Sequence, residues 1–149
     1  SALIFLKNQL QLLNVSSLYE SAPWGHKEQP DFFNCVCVID CVMNPYDLLK
    51  EIKQIEHNIG RKKNIYKWGP RVIDIDILLY DKQILKSPSL TIPHKHMLKR
   101  SFVINPLVEL VSDLVHPVTK IEIKDLVFSE DLLKCILSRE LLWRKIHDN

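Results

Sequence analysis

Hydrophobic residues at the start of the chain recur every three or four positions. Leu3, Leu6, Leu10 and Leu13 follow this spacing, which predicts that the chain opens inside an amphipathic helix. A strand is predicted next, over residues 14–20. The run Phe32–Val42 is rich in Val, Ile and Cys, which predicts a long strand. Its alternation would place on one face Phe32, Asn34, Val36, Val38 and Asp40, and on the other Cys35, Cys37, Ile39 and Cys41.

A second helix is predicted to begin at Asn44-Pro45, because Asn is a preferred N-cap and Pro fits the first turn. Gly60 is typical of a helix C-terminus and predicts the end of this helix. Between the two lies an apolar stripe at helical spacing, formed by Leu48, Leu49, Ile52, Ile55 and Ile59. The stripe predicts which side of the helix is buried.

The second half of the chain carries shorter patterns. They predict, in order, a third strand at Val72–Tyr80, an extended piece at Leu90–Pro93, a helical turn at residues 96–100, an apolar segment at Phe102–Val111, a short strand at Ile121–Ile123 and a last helix from Ser129 to about Ile146. This order of elements predicts an α+β fold with a mostly antiparallel sheet and helices on one face.

The composition favours one globular domain, because 46% of the 149 residues are hydrophobic. A formal net charge of +2 does not favour a general nucleic-acid or membrane binder.

The four cysteines form no Cys-x-x-Cys pair, so buried thiols are favoured over a zinc site and the usage fits a reducing compartment. The apolar start lacks the features of a signal peptide, and no run approaches the ~20 apolar residues of a membrane span.

The strongest chemical signal is an Asp-x-Asp pair in the third predicted strand. Asp74 and Asp76 would leave the same face, about 6.5–7 Å apart at the backbone. Carboxylates that close repel each other unless a cation bridges them, and Mg²⁺ prefers oxygen ligands. From these residues alone, two solvated acids are the simpler interpretation, and the acid/base pair of a glycosidase is a third.

Basic residues precede the Asp pair, with no acid among them: Arg61, Lys62, Lys63, Lys67 and Arg71. A basic loop that leads into two carboxylates would suit a clamp for a polyphosphate and Mg²⁺. The sequence has no Gly-x-x-x-x-Gly-Lys-Ser/Thr motif, so side chains would have to hold the phosphates.

Several further residues allow two interpretations. Trp68 in a Trp-Gly-Pro turn could be a core residue or a ring held at the end of a loop. Phe32 and Asn34 could stack on and hydrogen-bond to a flat heterocycle, or could be structural. His94 and His96 lack a third nitrogen or sulfur ligand at the usual spacing, which disfavours zinc.

The stretch Lys-Trp-Gly-Pro-Arg-Val-Ile-Asp-Ile-Asp-Ile-Leu at residues 67–78 resembles the signature of the 6-hydroxymethyl-7,8-dihydropterin pyrophosphokinase family. Further blocks resemble the family in the same order: Ser17-Leu-Tyr-Glu-Ser-Ala-Pro-Trp-Gly, Gln29-Pro-Asp-Phe-Phe-Asn, Ile55-Glu-His-Asn-Ile-Gly-Arg, Ile92-Pro-His and Arg100-Ser-Phe-Val-Ile-Asn-Pro-Leu. The resemblance covers residues 16–117. It implies a ferredoxin-like sandwich and transfer of the β,γ-pyrophosphoryl group of ATP to the hydroxymethyl oxygen of the reduced pterin, with release of AMP, in folate biosynthesis.

The resemblance also implies roles for individual residues. Asp74 and Asp76 would hold two Mg²⁺ ions on the triphosphate, and Arg71 and Arg100 would contact the phosphates. The loop that closes over ATP would contain Arg61 and Lys63. The nucleotide side would further include Glu56, Ile77, Thr91, His94 and Lys95. The pterin pocket would be lined by Ser21, Ala22, Trp24, Phe32, Asn34, Trp68 and Phe102.

The sequence departs from the family pattern at four of these positions. Ala22 stands where the family usually has Pro, Trp24 where Leu is common, Lys63 where Arg is common, and Lys95 near the nucleotide where an aromatic is common. Lys63 would lose the bidentate phosphate contact of an Arg.

The opening strand of the family fold, which ends in a Gly-Ser-Asn-like turn, does not appear in this sequence. We therefore expect one pterin pyrophosphokinase domain over residues 1–149, with further residues upstream in the natural protein. A fragment of a longer chain fused to dihydropteroate synthase or dihydroneopterin aldolase would fit. A cytoplasmic location is expected, or an organellar one for a eukaryotic multifunctional protein. The alternatives are a non-catalytic nucleotide- or pterin-binding module and a ferredoxin-like interaction domain.

Overall fold

The structure is a computed structural model that describes residues 7, 8, 10–21, 32–61, 73–126, 133 and 134. Its strands are β1 (Gln11–Val15), β2 (Tyr19–Ser21), β3 (Phe32–Asn34), β4 (Cys37–Asp40), β5 (Leu85–Lys86), β6 (Thr91–Ile92) and β7 (Leu133–Lys134). Its α-helices with both ends described are α1 (Pro45–Arg61) and α2 (Ser101–Val111), and 3₁₀ helices span Met97–Lys99 and Ile123–Leu126. Lys7 and Asn8 are also helical, as the opening leucine pattern predicts. Helices and separate small sheets make this an α+β fold.

The strand pairs of the described residues are all antiparallel, as predicted. β1 pairs with β4, β2 lies between β3 and β7, and β5 pairs with β6. No helix in this part of the chain combines the length and apolarity needed to cross a membrane.

The predicted strand Phe32–Val42 is two strands with different partners. Between them, the backbone N–H of Ser16 donates to the Val36 carbonyl (2.8 Å), and the Val36 N–H donates to Oγ of Ser16 (2.9 Å). The side-chain acceptor replaces a ladder carbonyl, so the regular pairing is interrupted here and β3 pairs with β2 while β4 pairs with β1. The predicted faces hold in β4, where Cys37, Ile39 and Cys41 pack against one core cluster.

Helix α1 begins where Asn44 predicts. The Asn44 Oδ1 accepts the backbone N–H of Asp47 at 2.9 Å, and its Nδ2 donates to the Asp47 carboxylate at 3.0 Å. Four residues of the predicted stripe are buried and Leu49 is half-buried, with Ile55 fully inaccessible, and so the amphipathic pattern identified the core-facing side. Gly60 does not end the helix, which continues to Arg61.

Two clusters of buried side chains form the core. The first joins α1 to the segments around Ile77 and β6, and comprises Leu10, Leu48, Ile52, Ile55, Ile59, Ile77, Leu90 and Ile92. The second lies around α2 and comprises Val36, Met97, Val103, Ile104, Leu107 and Ile123. The chain segment after Ile73 contacts both, since Ile73 and Ile75 pack against the first cluster and Leu78 and Leu79 against the second.

Other boundaries predicted from the sequence are wrong. Gln11–Val15 is a strand and not the end of a helix, and Leu13 in it is 51% exposed. Pairing with β4 outweighs the helical spacing of the leucines. Leu133–Lys134 likewise forms strand β7 by pairing with Tyr19 and Glu20, although a helix was predicted there. Ser129 lies outside the described residues.

The short strand predicted at Ile121–Ile123 is also wrong. Glu122 makes an isolated bridge with Val115, and Ile123 begins a 3₁₀ helix. The extended piece before Pro93 and the helical turn after His96 are confirmed as β6 and the 3₁₀ helix Met97–Lys99.

Candidate functional site

The Asp pair lies on an extended, alternating segment, although residues 73–80 form no strand within the described part of the chain. A strand requires a hydrogen-bonded neighbour, and the sequence pattern carries no information on whether one is present. The alternation itself is confirmed. Asp74 and Asp76 are exposed, whereas Ile73 and Ile75 are half-buried and Ile77 is buried. The two carboxylates therefore leave the same side of the segment while the isoleucines anchor it to the core.

The segment is held at its end by Tyr80. Its hydroxyl donates to the carbonyl of Met43, and it lies 3.4 Å from the Cys41 carbonyl. Met43 and Cys41 immediately precede helix α1, so Tyr80 ties the segment with the two aspartates to the entry of that helix. The Leu78 carbonyl also accepts the backbone N–H of His94 at 2.9 Å, which fixes the following turn against the same segment.

His94 lies beside the second aspartate. Its Nε2 is 4.0 Å from a carboxylate oxygen of Asp76, too far for a hydrogen bond. Burial lowers the pKa of His94, the carboxylate of Asp76 opposes this effect, and the positive charge of Arg100 adds to it. The imidazole is therefore neutral near pH 7, and the contact with Asp76 is not an ion pair. The charges of Asp76 and Arg100 therefore both act on the His94 imidazole.

Arg100 and Phe102 meet at the start of α2. The Arg100 guanidinium lies over the Phe102 ring, 5.6 Å from the ring centroid. This geometry allows a cation–π attraction. Both side chains are half-buried, and Phe102 also packs against the second core cluster. A flat aromatic face and a planar cation are thus placed side by side.

Glu56 projects from α1 with only 11% of its side chain exposed. Its Oε1 is inaccessible and lies 3.1 Å from Nζ of Lys53, but no hydrogen bond of acceptable geometry reaches that oxygen. A small rotation of the flexible Lys53 ammonium group would let it donate to this oxygen, so the two groups form an ion pair.

The structure describes some of the other predicted site residues fully, some by their backbone alone, and some not at all. Thr91 is half-buried in β6 and Lys95 is exposed beside His94. Asn34 is half-buried at the end of β3, opposite Tyr19 in β2. For Ser21, Phe32 and Arg61 only the backbone is described, and Ser21 pairs directly with Phe32. Outside the described residues lie Ala22, Trp24, Lys63, Trp68 and Arg71.

The described cysteines Cys35, Cys37 and Cys41 are free thiols and are half-buried, so the prediction of fully buried thiols is wrong for them. Burial raises the pKa of Cys35 to about 11 and that of Cys37 to about 12, so both are protonated at neutral pH. Cys135 lies outside the described residues.

Sequence reasoning missed Glu109. Its carboxylate accepts the backbone N–H of Ser17 at 2.9 Å, the Ser17 hydroxyl at 2.7 Å and the Tyr19 hydroxyl at 2.7 Å. A usable signal was present, since Glu109 is the only charged residue in the apolar sequence of α2, Ser-Phe-Val-Ile-Asn-Pro-Leu-Val-Glu-Leu-Val. A lone carboxylate in such a helix needs partners elsewhere in the fold.

Paired carboxylates beside a neutral histidine and an arginine are typical of sites where phosphate groups are bound and transferred. Comparison with known proteins agrees. The sequence model of the 7,8-dihydro-6-hydroxymethylpterin-pyrophosphokinase family matches residues 1–112. The chain therefore belongs to this family.

Relatives of two kinds are similar to the chain. The 2-amino-4-hydroxy-6-hydroxymethyldihydropteridine pyrophosphokinase of Aquifex aeolicus is 38% identical over 135 residues, which are 89% of this chain and 83% of that protein. The enzyme of the same name from Haemophilus influenzae is 46% identical over 110 residues, or 74% of this chain and 68% of that protein. The folic acid synthesis protein fol1 of Pneumocystis carinii is 48% identical over 114 residues, 76% of this chain. The chain spans only 15% of the length of that protein.

Proposed function

We propose that this chain transfers pyrophosphate from ATP to 6-hydroxymethyl-7,8-dihydropterin, giving AMP and the pterin diphosphate in folate biosynthesis. This is the reaction of a 2-amino-4-hydroxy-6-hydroxymethyldihydropteridine diphosphokinase. The observation that carries the proposal is the family match over residues 1–112, which includes the exposed carboxylates of Asp74 and Asp76 beside His94.

Mg²⁺ is the cofactor we propose for the Asp pair. The donor atoms fit, because both side chains are exposed oxygen ligands on the same side of one anchored segment. Mg²⁺ is commonly bound by one or two carboxylates, and substrate phosphates supply further ligands. Asp74 and Asp76 would hold two ions, which would neutralise charge on the triphosphate. Although the His94 imidazole lies close to Asp76, we assign it a contact with the nucleotide.

The nucleotide would lie along the segment that follows the Asp pair. We propose that Arg100 contacts the phosphates, since a planar guanidinium matches phosphate oxygens and its charge acts on His94, which lies 4.0 Å from Asp76. Arg71, Arg61 and Lys63 would add contacts from the basic loop. The remaining nucleotide contacts would come from Glu56, Ile77, Thr91, His94 and Lys95.

The pterin would lie on the Phe102 side of Arg100. The ring of Phe102 offers a face for stacking, and the amide of Asn34 offers a donor and an acceptor to a heterocycle. The other residues proposed for this pocket are Ser21, Ala22, Trp24, Phe32 and Trp68. The contact between Arg100 and Phe102 would then join the phosphate side to the pterin side.

Catalysis would rest on position and charge more than on a strong base. The pterin hydroxymethyl oxygen would attack the β-phosphorus and lose its proton to water. The bond from that phosphorus to the oxygen that bridges the α- and β-phosphates would break, and AMP would leave with that oxygen. Arg100 would stabilise the charge on the transferred phosphates. Holding both substrates in line converts a bimolecular reaction into an effectively intramolecular one.

We further propose that residues 1–149 belong to one domain with a ferredoxin-like sandwich. The matched region covers a small fraction of fol1 of Pneumocystis carinii, and this supports a natural protein in which the chain is fused to another folate-pathway enzyme, such as dihydropteroate synthase or dihydroneopterin aldolase. A cytoplasmic location, or an organellar one for a eukaryotic multifunctional protein, is proposed on the basis of the free thiols of Cys35, Cys37 and Cys41.

The nucleotide product tests the proposal. Protein incubated with ATP, Mg²⁺ and 6-hydroxymethyl-7,8-dihydropterin should form AMP in an amount equal to the pterin consumed. ADP as the product would overturn the proposed reaction. ATP binding without any pterin-dependent AMP would instead favour a non-catalytic binding module.

A further inference from the structure

Glu109 connects two parts of the chain that are about 90 residues apart. On one side it belongs to helix α2. On the other, it accepts hydrogen bonds from Ser17 and Tyr19, with sequence separations of 92 and 90 residues. Ser17 and Tyr19 are buried, at 5% and 8% exposure, so the carboxylate meets its donors away from bulk solvent. Hydrogen bonds to an ionised acceptor are stronger than those between neutral groups.

The donors of this contact sit at the start of the strand pair β2–β3. Tyr19 is the first residue of β2 and lies directly opposite Asn34 in the register of β3. The same register pairs Ser21 with Phe32. The position of Tyr19 therefore fixes the strand pair that carries Asn34, Phe32 and Ser21. Burial, followed by donation to Glu109, raises the pKa of the Tyr19 hydroxyl, which remains a donor at all physiological pH values.

Glu109, the acceptor, lies on the same helix as Phe102, the aromatic residue proposed for the pterin pocket. Phe102 and Glu109 are seven residues apart in α2, which is about two helical turns and returns to nearly the same face. Pro106 lies between them and removes the backbone hydrogen bond to the Phe102 carbonyl. Residues on both sides of it, Ile104 and Leu107, pack in the same buried cluster and hold the two turns together. Holding Glu109 thus holds the direction in which Phe102 leaves the helix.

We propose that Glu109 is a positioning residue for the pterin subsite. It sets the distance between the β2–β3 strand pair and α2, and so the spacing of Asn34 and Phe102 on either side of the bound heterocycle. Apart from Arg100 at the N-cap of α2, the nucleotide side depends on other anchors, namely Tyr80 and the first core cluster. This inference rests on the proposed function, because it assigns the pterin to Asn34 and Phe102.

The test is the substitution Glu109→Gln, which keeps size and shape but replaces one acceptor oxygen with a donor amide. The matched control is Glu122→Gln, since Glu122 pairs with Lys124 at 3.1 Å on the surface, where loss of an ion pair has little effect. For each protein, the KM for the pterin, the KM for ATP, kcat and the melting temperature are measured with the full chain.

We expect the pterin KM to rise about tenfold in Glu109→Gln, as the loss of charge-assisted hydrogen bonds in a buried contact predicts. The ATP KM should stay within about twofold, and Glu122→Gln should match the wild type. The second variant, Tyr19→Phe, removes one donor and keeps the ring, and should raise the pterin KM by a smaller factor. It also serves as the deciding variant if Glu109→Gln does not fold.

A uniform loss of activity, with both KM values unchanged, would mean that Glu109 contributes only to folding and would overturn the inference. Equal increases in both KM values would overturn it as well. If the wild type forms no AMP, the proposed function fails, and the inference is then decided by pterin binding in a fluorescence titration. Binding about tenfold weaker in Glu109→Gln would support it, and equal binding would contradict it.

Discussion

The guanidinium of Arg100 lies over the ring of Phe102, 5.6 Å from its centroid. Arg100 is the N-cap of α2 and Phe102 lies in its first turn. The positive charge of Arg100 also lowers the pKa of His94. One cation therefore contacts the aromatic face proposed for the pterin and influences the side proposed for the nucleotide. Substitution of Arg100 should accordingly affect the handling of both substrates.

The variant Arg100→Lys tests that expectation. The ammonium keeps the charge but loses the planar fork and the stacked contact with Phe102, so we expect kcat to fall about tenfold or more. We also expect the pterin KM to rise. Steady-state kinetics for each substrate would measure both effects, with Lys99→Gln as the control because Lys99 is exposed in the same turn. Normal kinetics in Arg100→Lys would remove Arg100 from the proposed site.

Each aspartate of the pair should be needed for turnover and not for folding. We expect Asp74→Asn and Asp76→Asn to lower kcat at least ~100-fold, because a neutral amide is a poorer ligand for Mg²⁺ and removes a charge that the ion requires. Both side chains are exposed, so the free energy of unfolding should change by less than about 0.5 kcal/mol.

The matched control for the pair is Asp113→Asn, an exposed aspartate outside the proposed site. It should retain wild-type turnover. Isothermal titration of Mg²⁺ in the presence of a non-hydrolysable ATP analogue would show whether the lost activity follows lost metal binding. Activity near normal in both Asp74→Asn and Asp76→Asn would reject the metal role.

Helix α1 shows what the sequence could predict. Its N-cap Asn44 and its buried stripe are local features that depend on the spacing of a few neighbouring residues, and the structure confirms both. The exposure of Asp74 and Asp76 against Ile73 and Ile75 is local in the same sense. These predictions succeeded because each depends on one element and its own periodicity.

The predictions that failed depend on partners far along the chain. Gln11–Val15 and Leu133–Lys134 are strands because of what they pair with, and the break at Val36 depends on Ser16, which is 20 residues away. Glu109 was missed for the same reason, since its donors lie about 90 residues earlier. A local pattern contains no information about such pairings.

The cap at Asn44 makes a measurable contribution to stability. We expect Asn44→Ala to lower the free energy of unfolding by about 1 kcal/mol, because the Asp47 N–H loses its acceptor. Urea denaturation would measure this change. Asn58→Ala is the control, since Asn58 lies inside α1 and Ala favours a helix interior. A loss in Asn58→Ala as large as that in Asn44→Ala would mean that the cap has no specific role.

His116 should make stability fall in mild acid. It is 5% exposed, and its Nδ1 accepts the backbone N–H groups of Val118 and Thr119, each at 3.2 Å. Burial lowers its pKa in the folded state, so the unfolded chain takes up the proton first. This contribution is fully present above the unfolded pKa of about 6.5 and is lost as the pH falls below it.

The measurement is the free energy of unfolding between pH 7.5 and pH 5 for wild type and for His116→Asn. The Asn oxygen can accept the same N–H groups but does not titrate in this range, so the slope with pH should be shallower in the variant. Because His94 remains in both proteins, its own effect cancels in the comparison. Parallel curves would show that His116 does not contribute to the acid sensitivity.

The most direct test of the central claim follows the β-phosphate. ATP labelled at the β-phosphorus is incubated with the protein, Mg²⁺ and 6-hydroxymethyl-7,8-dihydropterin, and the products are separated. Pyrophosphate transfer predicts that the β-label moves to the pterin and that the AMP carries none. Label retained in ADP would show transfer of a single phosphate, and label in free pyrophosphate would show hydrolysis, and either result would contradict the account.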